Sequence, residues 1–294
     1  MNAPFLEVDG LTVDYPVPHG TFRAVDNVSF AVARGETLGI VGESGCGKST
    51  VARSIVRLLT PTAGRILLDG TDIARLKERR LRPLRSKVQM VFQDPYGSLD
   101  PHLSAQDIVA EPLRLRGVSS RKERETEAAR LIDLVGLPRS ALSRRPAEFS
   151  GGQRQRIGIA RALASRPEVL VCDEATSALD VSVQAQVLEL LRQIQAETRL
   201  TYLIISHNLG VVRQLSQTIV VMSEGKIVES GPTSDVLASP RTSVTRALRR
   251  AALDPTRMRG RKPRTMDRAD TSPSPAIAAG GVDGVDPQTV TGAT

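Results

Sequence analysis

The sequence is poor in three features that would each indicate a specialised class of protein: aromatic rings, cysteines and long apolar runs. Phe, Trp and Tyr make up only 3% of its 294 residues and tryptophan is absent, which disfavours proteins that stack nucleic-acid bases on exposed rings. Its two cysteines cannot form a disulfide framework or, with their neighbours, a metal site. The longest apolar runs, at 169–172 and 202–207, have the length of strands and fall far below the roughly 20 residues that cross a bilayer.

The sequence does contain enough apolar residues for a sizeable core, together with an excess of positive charge. Hydrophobic residues make up 40% of the chain, and its net charge is +8 with a pI near 10.1. The charge is uneven, because residues 241–294 carry +5 and leave only +3 for residues 1–240. Asp9 and Asp14 interrupt the apolar residues that follow Met1. We therefore predict no signal peptide and a soluble protein of a reducing compartment.

Residues 251–294 are predicted to form a basic, disordered tail after a folded domain of residues 1–250. From about Pro255 the composition shifts to Arg, Pro, Gly, Ser, Thr and Ala with little apolar pattern. Such a segment buries too little apolar surface to offset its chain entropy. The basic cluster at 257–264 is either a solvated segment or a contact for acidic lipid headgroups or nucleic acid.

Alternating strand-like and helix-like segments predict an α/β fold with a parallel sheet that is covered on both faces. The first 70 residues are mostly strands and turns, which indicates an antiparallel β subdomain, whereas residues 95–148 are predicted to be an inserted helical subdomain. The predicted strands are 5–9, 27–32, 36–41, 64–68, 88–92, 168–172, 201–205, 217–222 and 226–229. The predicted helices are 48–59, 103–116, 121–135, 152–165, 182–196, 207–214 and 233–238.

A glycine-rich loop lies between the predicted strand 36–41 and the predicted helix 48–59. It fits the phosphate-binding pattern G-x-x-x-x-G-K-[ST]. Glycines allow such a loop to turn backbone N–H groups towards phosphate oxygens, and the helix N-terminus adds positive potential. The lysine supplies a full charge for the β- and γ-phosphates, and the hydroxyl after it suits Mg²⁺. The predicted nucleotide-binding residues here are Gly42, Glu43, Ser44, Gly45, Cys46, Gly47, Lys48, Ser49 and Thr50.

Two acidic residues, Asp173 and Glu174, end a second apolar strand. Ligands of parallel sheets gather at the carboxyl ends of the strands. Asp173 is therefore predicted to hold Mg²⁺, directly or through water, and Glu174 to polarise the attacking water in phosphoryl transfer. A pair of acids after a strand is a weak signal alone, and the upstream phosphate loop strengthens it.

A second anion site is predicted where Ser150, Gly151, Gly152 and Gln153 lead into a helix. Such a turn presents N–H donors at a helix N-terminus, although it could also simply cap the helix. With Phe149 in place of leucine, this stretch resembles the LSGGQ signature of ABC-type ATPases. The resemblance covers about residues 4–250. Its further positions are Gln93 in the Q-loop, Asp180 in the D-loop, the switch histidine His207, and Tyr15 as the aromatic that stacks on adenine, with Phe22 as the alternative.

The resemblance implies a P-loop ATPase cassette with a mixed sheet core, which binds ATP and Mg²⁺ and hydrolyses ATP. In this family two cassettes pair head to tail, so that Ser150, Gly151, Gly152 and Gln153 of one chain serve the nucleotide of the other. The implied catalytic residues are Glu174, His207, Gln93 and Lys48. The implied metal ligands are Ser49, Gln93 and Asp173.

Residues 93–101, 41–50 and 148–163 closely resemble the oligopeptide and dipeptide importer ATPases, with Asp100 replacing the usual asparagine. This resemblance implies a peripheral protein at the cytoplasmic face of the cell membrane. Its implied partners are two transmembrane permease subunits, an identical or sister ATPase, and indirectly a solute-binding protein outside the cytoplasm. Many relatives carry a C-terminal cysteine cluster proposed to bind iron–sulfur. No cysteine follows Cys172 here, so we predict no such cluster.

Alternative functions remain open from the sequence. Importers of nickel, glutathione or sugars share nearly identical cassettes with the peptide importers. A soluble ABC ATPase acting on nucleic acid or ribosomes is weakly favoured by the high pI. It is disfavoured by the single cassette and by the lack of a long heptad insertion, so no nucleic-acid partner is expected. A P-loop protein without turnover is disfavoured because every catalytic position is filled.

Overall fold

The computed structural model describes residues 4–253, apart from residues 19, 95 and 178, and contains two β-sheets. The first sheet has the order β2-β1-β4-β5, with β1 Pro4–Val17, β2 Gly20–Ala33, β4 Ala63–Leu68 and β5 Thr71–Asp72. The second has the order β10-β9-β3-β8-β7-β6, with β3 Thr37–Gly42, β6 Val88–Val91, β7 Val169–Asp173, β8 Thr201–Ser206, β9 Thr218–Ser223 and β10 Lys226–Pro232.

The first sheet is antiparallel, as predicted, but its two long strands extend well beyond the predicted 5–9 and 27–32. Pro16 lies near the end of β1, although proline cannot donate a ladder hydrogen bond. In the structure β1 pairs with β4 only as far as Thr12, opposite Ala63. Beyond that point β1 has β2 on one side only, and an edge strand tolerates proline.

The second sheet is the centre of the fold. Strands β6, β7, β8, β3 and β9 are parallel, and β10 pairs antiparallel with β9. Every residue of β3, β7 and β8 is buried, as expected for strands covered on both faces. Alternate residues of β7 enter different apolar clusters, Leu170 and Cys172 on one side and Val169 and Val171 on the other. The sheet therefore separates two cores, and the predicted α/β class with a mixed sheet is correct.

Nine helices are found among the described residues. They are α1 Lys48–Ile55, α2 Glu78–Arg85, α3 Ala105–Leu115, α4 Arg121–Leu134, α5 Gly151–Ala164, α6 Val181–Thr198, α7 Leu209–Leu215, α8 Thr233–Ala238 and α9 Ser243–Leu253. In the described part of 95–148 there is no strand, as predicted, and α3 and α4 pack on α5 through Ile108, Leu131 and Ile157. No helix in the described part of the chain combines the length and apolarity that a bilayer crossing requires.

Two of the helices, α2 and α9, were not predicted. The basic run at 75–87, which contains α2, predicts a solvated face. In the structure Leu81 is the only buried residue of α2, and Pro83 lies inside the helix. Helix α9 includes residue 250, where the sequence suggests that the folded domain ends. The rest of the predicted tail, after residue 253, lies outside the described residues.

Glu229 on β10 anchors the start of α9. Its buried carboxylate accepts hydrogen bonds from the backbone N–H groups of Arg241 and Thr242 at 2.9 and 3.1 Å. It also accepts one from the Thr245 hydroxyl at 2.5 Å. Burial alone would raise the pKa of Glu229, but the hydrogen bonds outweigh it and hold that pKa below its ordinary value. The ionised carboxylate therefore stabilises this junction.

Replacing Glu229 by glutamine should lower the free energy of unfolding by about 1–3 kcal/mol, because an amide group then faces buried N–H donors. Since the folded pKa is depressed, this stabilisation is present above the unfolded value near about 4.3 and is lost as the pH falls through the folded value. The difference between wild type and Glu229→Gln in urea unfolding should therefore shrink in acid. The exposed Glu197→Gln is the control, and equal stability of the two variants would contradict the assignment.

Candidate functional site

The predicted phosphate loop and the predicted catalytic and metal-binding residues gather at one edge of the central sheet. Strands β3, β6, β7 and β8 are parallel, so their carboxyl ends share that edge. The phosphate loop follows β3, Gln93 follows β6, and Asp173 and Glu174 lie at the end of β7. His207 follows β8. Although β8 separates β3 from β7, the loops and side chains at this edge span the gap.

The loop between β3 and α1 depends on glycine at several positions. Gly45 and Gly47 have φ angles of 81° and 102°, which other residues rarely adopt. A Cβ atom at Gly42 would lie 2.3 Å from the carbonyl oxygen of Met222. Gly47 is the N-cap of α1, and no side chain caps this helix. The first turn of α1 is thus left without a side-chain acceptor, which suits an anion.

Lys48 lies inside this loop as a buried cation. Its side chain is 4% exposed, and Nζ donates to the carbonyl oxygens of Gly42 and Glu43 at 3.0 and 2.7 Å. Among the described residues, no carboxylate lies within ion-pair distance of Nζ. A buried charge without a counterion is costly, so this arrangement favours an anionic ligand. Burial raises the pKa of the neighbouring Cys46 thiol, which favours a packing role for that residue.

Ser49 and Asp173 form a pair of oxygen donors beside the loop. The Ser49 hydroxyl donates to Asp173 Oδ1 at 2.9 Å. Burial, together with the charge of Glu174, raises the pKa of Asp173, while the hydrogen bond from Ser49 opposes that rise. The described residues contain no cluster of three or more His, Cys, Asp or Glu side chains that could hold a metal by themselves. A hydroxyl and a carboxylate fit Mg²⁺, which takes few protein ligands and uses substrate phosphates as well.

The Glu174 carboxylate is held by side chains from two neighbouring strand ends. One oxygen accepts a hydrogen bond from Gln93 Nε2 at 3.0 Å, and the other lies 3.2 Å from His207 Nδ1. The backbone of Glu174 has a φ of 46°, a conformation that costs a non-glycine residue about 1 kcal/mol or more. Its N–H donates to the carbonyl oxygen of Ile205 at 2.9 Å, which fixes this turn. The structure thus joins three predicted catalytic residues that lie far apart in sequence.

The predicted second anion site is the N-terminus of α5, where Ser150 and Gln153 form a capping box. Ser150 Oγ accepts from the Gln153 N–H at 3.3 Å, and the Ser150 N–H donates to Gln153 Oε1 at 3.0 Å. Two of the N–H groups predicted to be available for an anion are therefore used within the turn. Within the described part of the chain, the N–H groups of Gly151 and Gly152 have no protein acceptor.

Gly152 allows the N-terminus of α5 to approach α6 closely, since a Cβ atom there would lie 2.3 Å from Val183 Cγ1. We expect Gly152→Ala to lower the free energy of unfolding by about 1–3 kcal/mol through overpacking. Adding Val183→Ala should restore most of the loss. Gly158→Ala, in the same helix with no atom within 4 Å of the new methyl group, is the matched control for urea unfolding. A Gly152→Ala variant as stable as Gly158→Ala would refute the packing argument.

In the structure Asp180 caps a helix and Tyr15 belongs to a cross-strand pair of aromatic rings. Asp180 is the N-cap of α6 and accepts from the Val183 N–H at 3.0 Å, a bond that lowers its pKa. The Tyr15 hydroxyl lies 3.5 Å from Thr50 Oγ1 on α1. Phe22, the alternative adenine contact, pairs directly across the strands with Tyr15 and is 56% exposed. Both rings therefore belong to one cross-strand pair near the phosphate loop.

Two residues of α5 that were not predicted, Arg154 and Gln155, connect this helix to the segment after β6. Both are buried, and Gln155 Nε2 donates to the carbonyl oxygen of Phe92 at 3.5 Å. A buried polar pair in the first turns of α5 was the available signal. It was read only as part of the signature motif.

Comparisons with known proteins agree with this geometry. Residues 25–177 match the protein family described as ABC transporter. The chain is 49% identical to a probable peptide ABC transporter ATP-binding protein, y4tS, of Sinorhizobium fredii, over 89% of this chain and 76% of that protein. It is 47% identical to the oligopeptide transport ATP-binding protein OppF of Bacillus subtilis, over 84% of this chain and 82% of that protein.

Solved structures lead to the same family. A dimeric ATP-binding cassette, MJ0796, bound to ADP and phosphate superposes with a TM-score of 0.72 at 30% identity, covering 78% of this chain and 98% of that one. CbiO1 from Clostridium perfringens, part of an ABC transporter complex, gives 0.70 at 28% identity, over 87% and 97%. The described architecture and these matches establish that the chain belongs to the ABC transporter family, as one of its ATP-binding and ATP-hydrolysing proteins.

Proposed function

We propose that this chain is the ATPase subunit that energises a membrane importer of oligopeptides or dipeptides. The observation that supports ATP hydrolysis is the convergence of two features at one sheet edge. One is a buried lysine that has no counterion among the described residues, and the other is a glutamate held by Gln93 and His207. The peptide assignment rests on the relatives at 46–49% identity, whose names describe peptide or oligopeptide transport.

In the proposed reaction, Lys48 and the N–H groups of the loop and of α1 bind the β- and γ-phosphates. Ser49, Asp173 and Gln93 would hold Mg²⁺, which would neutralise phosphate charge when bound. Glu174 orients the attacking water and accepts its proton. The hydrogen bond that Gln93 Nε2 donates to Glu174, together with the contact of His207 Nδ1, fixes the carboxylate for that transfer.

The predicted second anion site, at the N-terminus of α5, acts in a head-to-tail pair of cassettes. Ser150, Gly151, Gly152 and Gln153 of one chain contact the nucleotide bound by the other chain, so closure depends on the γ-phosphate. The match to a dimeric cassette bound to ADP and phosphate supports this arrangement. Tyr15 stacks on adenine, and Asp180, which caps α6 beside the signature turn, lies at the pairing face.

The proposed assembly contains two permease subunits, an identical or sister ATPase, and a solute-binding protein that acts through the permeases. The chain then works at the cytoplasmic face of the membrane. Names of relatives that describe peptide import support this assembly. An iron–sulfur cluster is not part of the proposal, because no cysteine follows Cys172.

The proposal is tested by reconstituting the chain in proteoliposomes with the permeases and binding protein encoded beside it. ATP hydrolysis and uptake of a labelled di- or oligopeptide should rise together when the binding protein is loaded with peptide. Nickel ions and glutathione serve as alternative solutes, and DNA and ribosomes as alternative activators. Stimulation by DNA or ribosomes without peptide uptake would overturn the importer assignment, and uptake of nickel or glutathione alone would overturn the peptide assignment.

A further inference from the structure

The first turns of α5 contain a buried arginine whose position is unfavourable for the helix itself. Arg154 is only 7% exposed. It is the fourth residue of α5, where the helix dipole disfavours a positive charge. No carboxylate of the described residues forms an ion pair with it. Neither the helix dipole nor charge pairing explains a cation at this place, so the explanation must lie in its other contacts.

These contacts link Arg154 to the chain that leads into the signature turn. Its Nε donates to the carbonyl oxygen of Pro146 at 2.6 Å, and its Nη2 donates to that of Ala147 at 3.3 Å. Both carbonyls belong to the short helical turn Pro146–Glu148, which directly precedes Phe149 and Ser150. The planar guanidinium thus holds the approach to Ser150 by two bonds, a geometry that the point charge of lysine cannot reproduce.

The same guanidinium lies on the ring of Tyr96, 3.7 Å from its centroid. Tyr96 belongs to the loop after β6 that contains Gln93, and it remains 65% exposed despite the stacking. Helix α5 holds this loop at two further points. Gln155 Nε2 donates to the carbonyl oxygen of Phe92 at 3.5 Å, and Arg161 Nη1 donates to that of Ser98 at 2.5 Å.

A chain of contacts therefore links Glu174, beside the phosphate loop, to the signature turn Ser150-Gly151-Gly152. Gln93 bonds to Glu174 at one end of the loop. Tyr96, three residues later, stacks on Arg154. Arg154 in turn bonds to the carbonyls that precede Ser150. A change in the position of the loop would alter the stack and, through it, the orientation of the signature turn.

We propose that Arg154 is a positioning residue that, stacked on Tyr96, sets the Ser150-Gly151-Gly152 turn in register with the loop after Gln93. This inference rests on the proposed pairing, in which that turn contacts the partner's nucleotide. Loss of the stack should weaken the closed pair while leaving nucleotide binding to the chain's own phosphate loop unchanged. Tyr96 contributes through its ring, so the phenolic hydroxyl is dispensable.

The test measures ATP-dependent pairing of full-length chains by analytical ultracentrifugation, in the Glu174→Gln background where hydrolysis does not disperse the pair. Arg154→Lys and Tyr96→Ala should each weaken pairing by roughly threefold to thirtyfold, the range expected for a cation–π contact. Tyr96→Phe should pair like the parent, and the double variant should be no weaker than the weaker single variant. The ADP affinity of each chain should stay within about twofold of the parent.

Arg34→Lys is the matched control, because Arg34 lies 3.6 Å from the centroid of Phe5 in a similar stack in the first sheet. If Arg154→Lys fails to fold, as judged by circular dichroism, the exposed Tyr96→Ala carries the test. Parent-like pairing of Tyr96→Ala, or a parallel loss of ADP affinity, would overturn the inference. Failure of the Glu174→Gln parent itself to pair would instead overturn the proposed head-to-tail arrangement.

Discussion

Glu174→Gln should reduce ATP hydrolysis by roughly 10²–10⁴-fold, the contribution of a general base, while ATP binding persists. The amide of glutamine has nearly the shape of the carboxylate, so the contact with Gln93 and the turn at φ 46° can remain. What is lost is the ability to accept a proton from water. Because the γ-phosphate then survives, the paired chains should stay closed.

The measurements are phosphate release and gel filtration with ATP and Mg²⁺. Glu224→Gln is a close control, because Glu224 is also a glutamate with a positive φ, 48°, but lies in the exposed turn between β9 and β10. It should hydrolyse ATP like the wild type. A Glu174→Gln chain that retains full turnover, or that elutes only as a monomer with ATP, would count against the proposed role of Glu174.

The second large effect is expected for Lys48→Ala, which should lower ATP affinity or turnover by roughly 10²-fold or more. The substitution removes the buried positive charge of the phosphate loop, where Nζ is 3.0 Å from the carbonyl oxygen of Gly42. It also leaves that carbonyl and the one of Glu43 without their donor. A folding effect therefore has to be separated from the loss of charge.

Lys48→Met separates the loss of packing from the loss of the ammonium group, because it keeps a side chain of similar length in the buried site. Like alanine, methionine donates no hydrogen bond to the carbonyl oxygens of Gly42 and Glu43. We expect it to fold and to show the same loss. Lys87→Ala is the control for removing a lysine elsewhere, since Lys87 pairs with Glu168 at 2.8 Å before β7. Unchanged turnover of Lys48→Met in a purified sample would refute the assignment of this loop to phosphate binding.

The local pattern of the sequence was sufficient for most elements near the site. Strands β3, β7 and β8 are buried along their whole length. Because such strands are largely apolar, their composition alone was enough to predict them. Helix α2 was missed because five of its eight residues are charged and Pro83 lies inside it. Helix α9 was missed because its position depends on Glu229, more than ten residues earlier on another element.

The sequence by itself determined the α/β class, the phosphate loop and the membership in the ABC family. Each of these features follows from a short stretch of sequence. The stretches contain glycines that permit a turn, a lysine at a fixed spacing from them, and an apolar strand that ends in two acids. Only the tertiary structure decided which distant side chains meet. Gln93 and His207 converge on Glu174 because the strand order brings three carboxyl ends to one edge. Arg154 meets Tyr96 because α5 packs across the loop after β6, a contact that depends on packing in three dimensions and on no sequence spacing.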